Sequence, residues 1–345
     1  MSLDHHRPRG MAAWLHMWDR YWFPRTTAVR LDLLRLIVVP LQMLFFTPSL
    51  EEQINRITGN EGFIQPQAII RWLTMIVPEA VFRTPQMATA IWWGTGIAGV
   101  LALVGVLTRP AMLLFALGNW VMIAHQYSYG DKHHPQAIYC LFLLLMAMAP
   151  LGRAISLESF LRRRWARSAA DAVVPNVASA GWGPQAMFTT AFWPMLLVQW
   201  MLSLAYLNAG LCKILRPVMM ARDDAGLGLL QHLLDWLDGY TLQGYLLEDA
   251  IRWNRPVGLW LAQHHGVCVA MSIFAVVFEL AFWLALVFPR LVPVMLLGGV
   301  AMHVGIFIAQ AAPFWQFLVL YLAFLPLEKL PPFRQPAYQS GRLIT

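Results

Sequence analysis

The sequence predicts an all-α fold, a polytopic transmembrane helical bundle of about eight spans with interfacial amphipathic helices, because apolar runs of near-bilayer length recur along the chain. Composition agrees. Of 345 residues, 59% are apolar and 12% charged, whereas soluble domains carry roughly a quarter charged residues. The third observation is where the cations lie. Lys and Arg sit in short clusters beside apolar runs, so the net charge of +7 reports orientation in a membrane and forms no basic face for nucleic acid.

The chain, 1–345, reads as a single integral membrane domain. Residues 1–31 form an interfacial segment: Trp14, Trp18 and Trp22 lie four apart, one aromatic stripe on a helix with Asp19 and Arg20 among them. No basic n-region precedes an apolar h-region there, so the first span, about residues 33–50, is expected to act as an uncleaved anchor. Residues 65–81 are apolar but short and broken by Pro66 and Pro78, which suits an interfacial or re-entrant piece. Further spans are expected at about 87–107, 110–128, 135–151, 188–213, 266–288 and 291–310, with a shorter one at 314–327. Cys140, Cys212 and Cys268 lie in or beside apolar runs and read as packing residues.

Charge then assigns sides. Loop 152–187 carries Arg153, Arg162, Arg163, Arg164 and Arg167 against Glu158 and Asp171, and is assigned to the cytoplasm. Loop 214–265 carries Asp223, Asp224, Asp235, Asp238, Glu248 and Asp249, and is assigned to the extracytoplasmic side. Within it Leu227, Leu230, Leu234 and Leu237 have the spacing of an amphipathic helix. The tail 328–345, with Lys329, Arg334 and Arg342, returns inside. Both termini are thus cytoplasmic, as expected for a bacterial inner-membrane protein.

On this map the ionisable residues gather towards the extracytoplasmic side. They are His125, the turn of Asp131, Lys132, His133 and His134, then Lys213, His264, His265 and His303, with Glu279 near the middle of its span. An ionisable group within a bilayer is costly unless it faces a cavity or a partner, which makes each a candidate. Plainer roles exist for all of them. His133 and His134 suit a solvated turn, His264 and His265 an interface, and His125 a bond to a neighbouring helix. Lys213 at a span end can snorkel, and Glu279 with His303 can form an internal pair. A Lys among histidines at an apolar edge has a chemical use: desolvation favours the neutral amine, a general base, while imidazoles orient a phenolic or carboxyl substrate. His133, His134, His264, His265 and Asp131 are suitable metal ligands, but their spacing is no metal signature, and no metal is predicted. No HExxH, GxSxG, P-loop or dinucleotide fingerprint occurs.

Several segments resemble the HTTM family, the membrane region shared with vitamin K-dependent γ-glutamyl carboxylase. Tyr206-Leu-Asn-Ala-Gly-Leu-Cys-Lys213 is similar to the family's AGLxK segment. Gly130-Asp-Lys-His-His-Pro135 and Ala149-Pro-Leu-Gly-Arg-Ala-Ile-Ser-Leu157 resemble a second block. Ala301-Met-His-Val304 with Leu322-Ala-Phe-Leu-Pro326 resembles a third, and Trp18-Asp-Arg-Tyr-Trp-Phe-Pro24 the family's start. The resemblance implies a bundle whose pocket opens to the periplasmic or extracellular side. It also implies a cofactor, reduced vitamin K or menaquinol, that Lys213 deprotonates with His303 and His134, or its neighbour His133, assisting. His125, Glu279, His264 and His265 then belong to substrate binding. The carboxylase's large lumenal region, which holds its protein substrate, has no counterpart in residues 328–345.

Two functions follow as expectations. One is a carboxylase-like lyase whose partners are membrane lipid, a lipid-soluble quinol and a secreted peptide or protein. The other is a non-catalytic HTTM protein that binds lipid or helps a secreted peptide mature or be exported. An open Lys213 within reach of His134 or His303 marks the first, and a Lys213 occluded against a carboxylate marks the second. A proton- or ion-coupled transporter ranks below both, because the inner halves of the spans read as poor in polar residues.

Overall fold

A computed structural model describes residues 11–60, 62–130, 134–173, 189–220 and 236–330. The chain divides into two compact units, Met1–Leu197 with Leu325–Thr345, and Val198–Phe324. It is mostly helical.

In the first unit, α1 (Met11–Trp22) carries the expected stripe. Trp14 and Trp18 stack with centroids 5.3 Å apart, and Trp18 meets Trp22 at 5.5 Å. Thr27 caps α2 (Ala28–Leu41), its hydroxyl accepting from the Arg30 N–H at 3.3 Å. Pro40 lies inside α2, and a π-helical turn over Gln42–Phe46 follows. Pro removes a backbone donor and a π turn widens the coil, so the helix does not run straight on. It breaks, and α3 (Leu50–Thr58), started by a Ser49–Glu52 capping box, leaves at 42°. Residues 65–81, expected to be too short to cross, form α4 (Ala68–Leu73) and α5 (Glu79–Phe82). Then come α6 (Pro85–Val104), α7 (Thr108–Ser128), α8 (His134–Met148) and α9 (Leu157–Val173). A short antiparallel ribbon, β1 (Arg25–Thr27) with β2 (Thr189–Ala191), was not expected.

The second unit holds most of α10 (Trp193–Met220), then α11 (Tyr240–Arg252), α12 (Pro256–Ala262), α13 (His265–Ala281), α14 (Leu284–Val287), α15 (Val292–Gln310) and α16 (Trp315–Leu320). A core of Leu246, Ala262, Cys268 and Ala309 joins α11, α12, α13 and α15.

Four helical stretches are long and apolar enough to cross a membrane among the described residues: Pro85–Val104, Trp193–Leu215, His265–Val287 and Pro289–Gln310. The bent pair Ala28–Phe46 and Leu50–Thr58 makes a fifth if it is one broken span. Pro135–Met148 and Trp315–Phe324 are apolar but shorter. The 21-residue α7 is long enough, yet it carries Arg109, Asn119, His125 and Gln126 and is not among the four. The Asp223–Leu234 part of the expected amphipathic surface helix lies outside the described residues, as do Asp131, Lys132 and His133.

Candidate functional site

α10 sets Tyr206, Gly210 and Lys213 at i, i+4 and i+7, along one face. Gly210 brings α13 close. A Cβ there would lie 3.0 Å from the Leu280 side chain and 3.2 Å from Glu279 Cβ. The approach delivers Glu279 to Lys213: the Nζ donates to Oε1 and Oε2, each at 2.5 Å. The two side chains are 19% and 8% exposed. The Trp236 ring lies 5.2 Å from the same Nζ, a cation–π contact.

Two turns back along α10, roughly 10 Å by helical rise, lies a second polar group. The Tyr206 hydroxyl, buried, meets His303 Nε2 at 2.6 Å and the Tyr321 hydroxyl at 2.5 Å. Tyr206 has one proton, so the chain of bonds runs one way or the other. Either Tyr321 donates to Tyr206 and Tyr206 to His303, or His303 donates to Tyr206 and Tyr206 to Tyr321. Gly299 makes room, since a Cβ at that position would overlap the Tyr321 hydroxyl. The walls are aromatic. Phe282 lies 4.3 Å from the Tyr206 ring and Phe317 5.8 Å, while His303 stacks on Phe314 at 5.1 Å.

Sequence reasoning placed Lys213, His303, His264 and His265 towards one side, with Glu279 near the middle of its span, and here the structure separates them. His265 begins α13 and Glu279 lies in its last turn. The 14 residue steps of helix between His265 and Glu279 separate them by about 21 Å along the axis, so the histidine pair does not reach the Lys213 level. His264 Nδ1 instead pairs with the Trp260 carbonyl at 2.7 Å. His265 Nδ1 meets Gln243 Oε1 at 3.0 Å and its ring stacks on Tyr240 at 4.2 Å. α10 runs seven residues beyond Lys213, although its stretch of membrane length, Trp193–Leu215, ends close to the expected place. Among the candidates, the structure pairs Lys213 with Glu279 and joins His303 to Tyr206. His125 is buried in the first unit against the rings of Phe63 and Tyr129, beside a cavity of about 10 Å³. His134 opens α8, its side chain outside the described set. No three His, Cys, Asp or Glu side chains converge as a metal site among the described residues.

Two features were missed. Tyr206 begins the very segment quoted for Lys213, and its i, i+7 spacing was the available signal. The other is Asp32 with Arg35, at i, i+3 in the first apolar run and both fully buried. Asp32 accepts from the backbone N–H groups of Gly152 at 2.6 Å and of Ala154 and Ile155 at 2.8 Å each. Arg35 donates to the carbonyls of Ala102, Leu103 and Ile155, and its Nε lies 3.6 Å from Asp32 Oδ1. These groups tie the C-terminus of α6 to the turn before α9.

Helices of membrane length enclosing a buried ion pair and a Tyr–His–Tyr chain define a helical membrane protein with an internal polar site. No family model, curated protein or solved structure matches the chain.

Proposed function

We propose that the chain is a vitamin K-dependent γ-carboxylase-like membrane enzyme of the HTTM kind. It has about eight spans and cytoplasmic termini in a bacterial inner membrane, and it deprotonates a reduced quinone or similar lipid-soluble substrate from the extracytoplasmic side. The Lys213–Glu279 pair carries this reading, because its lysine, 19% exposed, is paired without being occluded. Removing two charges from water is expensive, and an apolar bundle gains more stability from apolar packing, so retention of the pair points to use.

Bound reduced vitamin K or menaquinol supplies an acidic phenolic hydroxyl. The surroundings such a ring would meet are aromatic: Phe278, Phe282 and Phe317 pack around Tyr206, whose hydroxyl is bonded to His303, so a quinol would have to displace some of these contacts. The proton assignment differs from the one the resemblance implies. Lys213 donates two hydrogen bonds, and a donor is no base until its proton has left. Glu279 is the carboxylate that takes the hydroxyl proton, and the Lys213 ammonium faces the negative charge left behind.

A Lys213 paired to a carboxylate is the mark set out for the second reading, a non-catalytic protein that binds lipid or aids secreted-peptide maturation or export, and the enzyme reading requires the pair to open. Both Glu279 oxygens are engaged by Lys213, so the pair is closed on itself. Purified protein incubated with reduced vitamin K or menaquinol, oxygen and labelled bicarbonate separates the two. Quinone epoxide formed by the wild type and lost in both Lys213→Ala and Glu279→Gln supports the enzyme. Epoxide formation unchanged in both variants removes the pair from the mechanism, and no turnover with either quinol leaves the second reading.

A further inference from the structure

We propose that the first unit carries a binding site for an anionic phospholipid, independent of the Lys213 site. An open groove of about 380 Å³ lies where α6 meets the start of α9, within the size range of small-molecule sites. Leu36, Leu103, Val104, Ile155 and Phe160 line it, and Arg163 is its charged member. Its floor is built. Arg35 anchors the Ala102, Leu103 and Ile155 carbonyls, and Gly105 packs so tightly on Ser156 that a Cβ would overlap it.

Charge decides the occupant. Arg163 is held in place by donating to the Ala154 carbonyl at 3.1 Å and Ser159 Oγ at 3.2 Å. Arg153 precedes Ala154 and is exposed. Arg164, also exposed, shares a helix face with Leu157 and Phe160 at i, i+3 and i+7. The neighbouring acid, Glu158, is turned onto the Leu107 N–H at 2.5 Å, so it does not offset these arginines at close range. Val104, Leu107 and Phe160 are 48%, 63% and 54% exposed, an apolar surface beside the cations. An acyl chain in the groove with a phosphate among the guanidiniums satisfies both chemistries; a soluble anion satisfies only one.

The test uses the full chain in mixed phosphatidylglycerol–phosphatidylcholine nanodiscs, with co-purified lipid counted by native mass spectrometry. Phosphatidylglycerol is retained over phosphatidylcholine, and each neutralised arginine (Arg153→Gln, Arg164→Gln) weakens that preference about fivefold. Val104→Trp, which fills the groove from an exposed position, abolishes retention without lowering the melting temperature. Arg163→Gln is read only beside these, because its hydrogen bonds also hold the turn. Equal retention of the two lipids by the wild type overturns the proposal. So does displacement of phosphatidylglycerol by inorganic phosphate alone, or unchanged retention in Val104→Trp.

Discussion

At Lys213 and Glu279 the balance between desolvation and attraction can be measured directly. With side chains 19% and 8% exposed and both oxygens engaged, removing one partner strands the other. Glu279→Gln or Lys213→Met is expected to destabilise by roughly 3–5 kcal/mol, whereas Lys213→Met with Glu279→Leu costs much less than the sum, because no charge is left unpaired. Unfolding of the four proteins in mixed micelles gives the coupling. Single variants that each cost under about 1 kcal/mol would mean a solvated pair, and the argument that it is retained for use would fail. Gly299 matters at the same scale. It lies four residues before His303, on the same face of α15, and its missing Cβ leaves the Tyr321 hydroxyl its place beside Tyr206.

At the scale of elements, one ion pair organises a turn. Asp32 receives three backbone N–H groups from residues 152–155, and Arg35 collects carbonyls from the end of α6 and from Ile155. Asp32→Ala leaves three donors and one guanidinium short of an anion, a loss of roughly 3–5 kcal/mol. Hydrogen exchange locates the effect: the Gly152, Ala154 and Ile155 amides lose protection while those of α13 keep theirs. Equal loss in both places would make Asp32 a general stabiliser of the fold. Legibility in the sequence follows the same line. The Trp stripe of α1 and the uninterrupted run of α6 were readable because periodicity and hydropathy are local. Lys213 and Glu279 were readable as costly groups, but their pairing was not, since it depends on α13 closing over Gly210. Asp32 and Arg35 escaped notice because Asp32 falls just before the expected span 33–50 and Arg35 is the one charge within it, and their partners lie up to about 120 residues away. His264 and His265 misled for the opposite reason. Closeness to a span end suggested a shared side, but 14 residue steps of continuous helix lie between His265 and Glu279.

For the whole molecule, orientation can be predicted without settling the number of spans. Between the Arg-rich start of α9 and the acidic α11, the described residues contain one helix of membrane length, Trp193–Leu215. With that single crossing the two segments are expected on opposite sides, and the positive-inside rule predicts Arg153 in the cytoplasm and Asp238 outside. Single cysteines at Arg153 and at Asp238, introduced after replacing the exposed Cys212 by Ser, test this in intact cells. A membrane-impermeant maleimide is expected to label Asp238→Cys before lysis and Arg153→Cys only after it. The reverse order would keep the crossing but invert the protein, moving the groove that holds Arg163 outside and turning the Lys213 part of α10 inward. Labelling of both positions before lysis would mean that Trp193–Leu215 does not cross, and the bundle would then have to be rebuilt around a buried, non-spanning α10.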